Sequence, residues 1–286
     1  MTKRLVSFLV LGIAASAFCT FSRIEANEPQ DGRSSADDSC HIQTWNWNPQ
    51  SQQGPGSWPG SCLDRSKPQS PIKLSELGTK LAPVLIAYNS APFDAVLTND
   101  GYKVIVDVKH QAGSIQIEGK DFVLEEFHLH TPSEHTIKGH EYAVEMHLVH
   151  YDSAKNAAAL GILFDVADSG NPVLHQMITQ VPEKCAGKPT PVSLRVKVSD
   201  LLPNGNGTGK YYAYQGSLTT PECSPVRYWL VAETPAKVVR SDVQRLQHIV
   251  SLFPNNAGVG NYRQNNRPLQ TVPITVGYRE GKELVH

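Results

Sequence analysis

The chain has 286 residues and a formal net charge of −1, with 26 Lys and Arg spread among 27 Asp and Glu. So balanced a charge gives no electrostatic case for nucleic acid or an anionic membrane as a partner. Nothing like a linker interrupts the sequence after about residue 60, so one large domain is expected.

In chain order, the first segment is a targeting signal. Lys3 and Arg4 precede an apolar run over residues 5–18, and Ala15-Ser16-Ala17 supplies a small-residue cleavage pattern. Residues 1–26 are expected to be removed, with the cut after Ala17 or after Ala26. The apolar run is too short for a membrane span, and bulky Phe18 before Cys19 argues against lipid attachment. An exported protein follows, periplasmic or secreted, with no membrane association once the signal is gone. Cys40, Cys62, Cys185 and Cys223 remain, and four cysteines in an exported chain suggest disulfides. Three pairings are possible, and spacing does not choose among them.

The expected domain is residues 27–286. Residues 27–69, rich in Pro, Gly, Ser and Gln, read as an irregular arm anchored by Trp45, Trp47 and Trp58. Short β-type runs begin at about residue 83. Residues 102–108 and 114–118 alternate apolar and polar. Residues 122–130 and 142–150 read as adjacent strands joined through Lys138-Gly139 as turn material. Residues 157–166 form a buried apolar strand, and 195–198 and 228–231 are further strand candidates. Residues 173–180 have helical potential. Residues 241–253 carry Val243, Leu246, Ile249 and Val250 at helical spacing, with Ser241 as the expected N-cap. The fold class is mainly β (α+β): a single domain on a large, mostly antiparallel twisted sheet with peripheral helices.

The chemistry lies in two of these strands. Alternate strand residues share a face, so His128 and His130 project together with Glu126, and Glu145 projects with His147. Three imidazoles converging from two strands leave one position open, the arrangement of a catalytic zinc site. Glu126 and Glu145 are placed to hold the ligands' second ring nitrogens. Further along, Gly216-Ser217-Leu218-Thr219-Thr220-Pro221 brings two hydroxyls into a loop. A hydroxyl there accepts a hydroxide's proton only if its own proton goes to a carboxylate, for which Glu134 is the candidate.

At this point the chain resembles an α-class carbonic anhydrase. The matching segments are Gln69-Ser70-Pro71-Ile72, Phe127-His128-Leu129-His130, Pro132-Ser133-Glu134-His135-Thr136 and Glu145-Met146-His147-Leu148-Val149-His150. Leu160-Gly161, Tyr214, the 216–221 loop, Trp229 and Asn265-Asn266-Arg267-Pro268 follow in family order, so the likeness covers about residues 40–280. It implies reversible hydration of carbon dioxide to bicarbonate on zinc held by His128, His130 and His147. By the same likeness Thr219 orients zinc hydroxide and Glu134 is its carboxylate partner. Glu145 supports His147, Asn265 and Arg267 sit near the ligands, and Tyr214 belongs to a buried hydrogen-bond network. Val149, Leu218 and Trp229 form the apolar wall for carbon dioxide, and Thr220 is the next pocket hydroxyl. His135 and His150 are structural. Cys62 with Cys223 matches the disulfide of exported members, leaving Cys40 with Cys185 by subtraction.

Several positions depart from the pattern. Tyr102 stands where the proton-shuttle histidine is usual, which puts fast proton export in doubt and leaves His110 and His140 as substitutes. Glu126 replaces a common Gln, Ala159 a larger aliphatic wall residue, and Glu222 a Pro. Arg227 falls at a usually aliphatic pocket position. Two rival readings stand beside the enzyme. His128-x-His130-x₃-Glu134 fits part of a cupin metal motif, though the later Pro-x-Gly-x₂-His segment is missing. A storage or binding protein on the same scaffold is the other. Oligomeric state is left open.

Overall fold

The computed structural model describes residues 43–108, 110–185, 191–253, 256 and 262–284. The expected signal segment and Cys40 lie outside these residues. Chain contacts divide Met1–Asp37 from Asp38–His286, and every described residue belongs to the second unit.

Eleven strands of four residues or more carry the architecture of the described residues: β1 Val84–Tyr88, β2 Phe93–Asn99, β3 Val104–Asp107, β4 Gly113–Ile117, β5 Lys120–His130, β6 Val144–Tyr151, β7 Ala157–Val166, β8 Val192–Val196, β9 Gly209–Ser217, β10 Pro225–Ala232 and β11 Gly277–Glu283. Eight of them close a ring. From β5 the ladder passes through β6, β7, β10, β9, β11, β1 and β4, and returns to β5. Within the ring β7–β10 and β11–β1 are parallel, and the other pairings are antiparallel. The sheet is therefore mostly antiparallel, as expected, and it closes on itself, which the sequence reading did not include. The reason is the length of β5. One edge pairs with β6, while the other takes β4 along its first half and β3 along its second. From β3 the sheet continues outward to β2 and β8. Closure leaves the ring strands without free edges.

A bulge in β5 decides which side chains meet. Phe122 and Leu124 are buried, and then the parity changes to Phe127 and Leu129. Val149 of β6 pairs with Glu126, yet its neighbour His150 pairs with Leu124, so Glu125 is passed over. One extra residue turns the rest of a strand by one step. All four apolar side chains thus stay in the main core, while Glu126, His128 and His130 stand on the opposite face. Val144, Met146 and Leu148 of β6 also enter that core, as do Ala158, Leu160, Ile162 and Phe164 of β7. Both strands are buried on both faces, which is why they read as nearly continuous apolar runs.

The expected turn between β5 and β6 is a small hairpin. Thr136–Ile137 pairs with His140–Glu141, and Lys138 and Gly139 take the positive φ values of 52° and 81° that a two-residue turn requires. Helix α1, Pro172–Gln180, starts at Asn171, whose side chain accepts from the backbone N–H groups of Val173 and Leu174. Helix α2 spans Arg240–Ser251. Ser241 is not its N-cap, because Val239 takes that position without a side-chain bond and Ser241 lies within the first turn. The α2 residue Asp242 instead accepts from His175 Nδ1 of α1 at 3.0 Å, tying the two helices together.

Candidate metal centre

β5 and β6 run antiparallel with His128 directly opposite His147. The strand period adds His130 two residues along. The ring centroids lie 4.9 Å apart for His128–His130, 5.3 Å for His128–His147 and 4.6 Å for His130–His147. One nitrogen of each buried ring lies within 4.8 Å of the others.

Each ring's remaining nitrogen is held by the protein. His128 Nδ1 faces both Glu126 carboxylate oxygens, at 2.9 and 3.0 Å. His130 Nδ1 donates to the Asn265 carbonyl at 2.6 Å, and His147 Nε2 donates to Glu145 Oε1 at 2.9 Å. These bonds set the tautomers and turn Nε2 of His128, Nε2 of His130 and Nδ1 of His147 toward a common point. His130 Nε2 is buried with no hydrogen-bond partner, and a buried polar atom left so is costly. Burial pushes His128 and His130 well below the ordinary histidine range, favouring the neutral ring that ligates a cation. An all-nitrogen set of three fits zinc.

A second layer of carboxylates supports these rings. Burial would raise Glu145, but the charges and hydrogen bonds of His135 and His147 hold it well below the usual carboxylate range. Its Oε2 accepts the backbone N–H groups of Glu134 and His135, both at 2.8 Å, and its Oε1 also meets His135 Nδ1 at 2.7 Å. The close approach of β7 makes room for that carboxylate: Gly161 lies opposite His147, and a Cβ there would come within 2.9 Å of Glu145 Oε1. His135 continues through Tyr214 (2.6 Å) to Ser70 Oγ (2.9 Å). Burial pushes Glu134 well above its ordinary range, opposed by the Arg267 N–H, which donates to Oε1 at 2.7 Å, and by the Thr219 hydroxyl. Its Oε2 is buried with no hydrogen-bond partner. Buried Arg267 gives its guanidinium to Ser70 O, Ser217 Oγ, Cys62 O and Gln69 Oε1. Asn265 also braces β5, donating to Leu129 O at 2.9 Å and accepting from Thr131 N at 2.8 Å.

A cavity of about 140 Å³ opens on the histidines. Val149, Ala159, Leu218, Thr219, Thr220 and Trp229 line it together with Glu126, His128 and His147. Lys103 and Tyr151 complete the wall and were not anticipated. Tyr151 had a signal, being two residues beyond Val149 on the same strand face; Lys103 had none. Tyr102 does not line this cavity. It is buried against Trp45, at 5.2 Å between ring centroids, and its hydroxyl accepts from Gln43 N at 2.6 Å. The ring follows the arm, where Trp45, Trp47 and Trp58 gather around it. His110 pairs with Glu125 at 3.2 Å and His140 lies 4.0 Å from Asp165, both away from the cavity. Arg227 also lies outside it. Cys62 and Cys223 are disulfide-bonded, tying the arm to the loop that carries Thr219 and Thr220. Cys185 is disulfide-bonded as well, while Cys40, its expected partner, is outside the described residues.

Residues 53–274 match the family model of the eukaryotic-type carbonic anhydrases. The chain belongs to this family, the α class. A carbonic anhydrase of Neisseria gonorrhoeae is 28% identical over 244 residues, covering 83% of this chain and 89% of the relative. The α-carbonic anhydrase of Thermovibrio ammonificans, solved with the inhibitor sulfanilamide, is 30% identical with a TM-score of 0.67, covering 82% of this chain and 98% of that one. Dioscorin, solved in complex with ascorbate, is 28% identical with a TM-score of 0.68, covering 84% and 99%. The chain is accordingly a carbonate dehydratase, and the cupin reading falls.

Proposed function

We propose that the enzyme hydrates carbon dioxide reversibly to bicarbonate and a proton, with zinc held by His128, His130 and His147. The observation that carries this reading is the orphaned, buried Nε2 of His130 beside two further buried imidazoles at a small cavity. Bound there, zinc supplies a water ionised near pH 7, a value known from this enzyme class itself, and its charge favours Glu134 as a carboxylate.

The protein's own residues do the rest. Glu134, fixed by the Arg267 N–H, accepts a hydrogen bond from the Thr219 hydroxyl. Thr219 is then left only as an acceptor toward a nucleophile on the open side of the histidines, and so aims it. Val149, Leu218 and Trp229 hold carbon dioxide apolarly, and the small Ala159 enlarges that wall. Glu126, Glu145 and the Asn265 carbonyl keep the three rings in register. Tyr102 takes no part in proton export, since its hydroxyl is engaged within the arm. The protein works outside the cytoplasm after removal of residues 1–26, a reading that the Cys62–Cys223 disulfide supports. Among the described residues no helix is long and apolar enough to cross a membrane.

Dioscorin's ascorbate complex keeps a binding role on the same scaffold as the second reading. Zinc analysis and stopped-flow hydration on the purified mature protein separate the two. Zinc with fast hydration is expected. Zinc without hydration would favour the binding role, and neither would overturn the site assignment.

A further inference from the structure

Arg227 faces a second cavity, of about 470 Å³, which shares Trp229 as a wall with the histidine cavity. We infer that this cavity is a separate small-molecule site that takes an amphipathic carboxylate. Its volume falls within the range of small-ligand pockets, about 300–1,000 Å³. Leu81, Tyr214, Trp229, Ile274 and Val276 supply apolar walls. The charged lining residues are Arg227, Arg279 and Glu118, a balance of one positive charge.

The two guanidinium groups are arranged around one ring, Arg227 at 5.3 Å and Arg279 at 5.5 Å from the Tyr228 centroid. Arg279 is only 3% exposed, and its bonds can be followed one by one. One terminal nitrogen donates to Ala82 O at 2.7 Å and the other to Glu118 Oε1 at 2.6 Å. Its Nε is buried with no acceptor. Glu118 is already satisfied, since its other oxygen accepts from the Tyr228 hydroxyl at 2.7 Å. Arg227 leans on Tyr228, balanced by the more distant charges of Glu118 and Asp152. A carboxylate entering here meets the exposed and loosely balanced Arg227 cation, with apolar surface for the body of the ligand. Charge-assisted bonds of this type are the strong ones. The inference is independent of the catalytic reading, because none of these three charged residues lines the histidine cavity.

The test uses 4-iodobenzoate on the mature protein as purified, with 4-iodobenzyl alcohol as the uncharged control. Calorimetry should show saturable binding of the acid and none of the alcohol. Exposed Arg227→Gln should weaken binding roughly tenfold and leave carbon dioxide hydration unchanged. In soaked crystals the iodine's anomalous signal should lie against Tyr228 and Ile274. No binding, an affinity unaltered by Arg227→Gln, or iodine found only at the histidine cavity would overturn the site. Hydration measured on the same samples reports separately on the catalytic reading.

Discussion

At the scale of single residues, the proposed mechanism couples Thr219 to Glu134. Thr219→Ala should retain zinc, whose three ligands are untouched, and slow hydration on the order of 10²-fold, the cost of a misaimed reacting group. Glu134→Gln should resemble it, because with its oxygen accepting from the Arg267 N–H the amide presents its NH₂, a donor, to the threonine. Stopped-flow hydration rates decide; wild-type rates in either variant would remove the pair from the mechanism. His150 gives a different kind of test. Burial lowers it to about 4, where its Nε2 accepts from the Tyr88 hydroxyl at 2.7 Å. The folded state thus resists a proton that the unfolded chain takes up near pH 6.5. The sign follows: this stability is fully present above about pH 6.5 and is lost as pH falls toward about 4, roughly 3 kcal/mol in all. Urea titrations between pH 7 and 4 should show a shallower pH slope in His150→Gln than in wild type. Equal slopes would refute the assignment.

At the scale of elements, the Cys62–Cys223 bond holds the loop after β9 against the arm, across a sequence separation of 161 residues. Cys62→Ser with Cys223→Ser should cost about 2–4 kcal/mol and slow hydration, because the loop bearing Thr219 loses its tether. Denaturant midpoints and rates of the double variant check both parts; stability loss with unchanged kinetics would detach the tether from the chemistry. The elements also show what the sequence makes legible. β6 and β7 stand out because apolar side chains fill both faces, and the His128–His130 alternation survives because it lies wholly beyond the bulge at Glu125. β11, Gly277-Tyr278-Arg279-Glu280-Gly281-Lys282-Glu283, has no apolar alternation, and its ladders to β9 and β1 make it a strand. Ring closure escapes notice for the same reason, since it depends on which edges of β5 are used and not on any local pattern.

At the scale of the whole molecule, distant segments assemble the centre. The proposed ligands come from β5 and β6, Asn265 and Arg267 from near the C-terminus, and Thr219 from the loop after β9. Motif order makes that set readable, whereas Lys103 and the burial of Tyr102 under the arm depend on packing that spacing does not encode. Proton export is a property of this assembly. The cavity among the described residues has no histidine besides His128 and His147, and burial raises Tyr102 above its ordinary value. Hydration in dilute buffer should therefore be limited by proton transfer to solvent. Added imidazole should raise kcat and leave kcat/KM nearly constant; a high kcat that is flat with buffer concentration would reveal another relay. The central claim is most directly tested by stripping the mature protein of metal and titrating zinc back while recording carbon dioxide hydration. Activity should rise linearly and saturate at one zinc per chain, and His147→Ala should show no such endpoint. Hydration that is independent of added zinc, or a wild-type protein that binds one zinc and stays inactive, would contradict it.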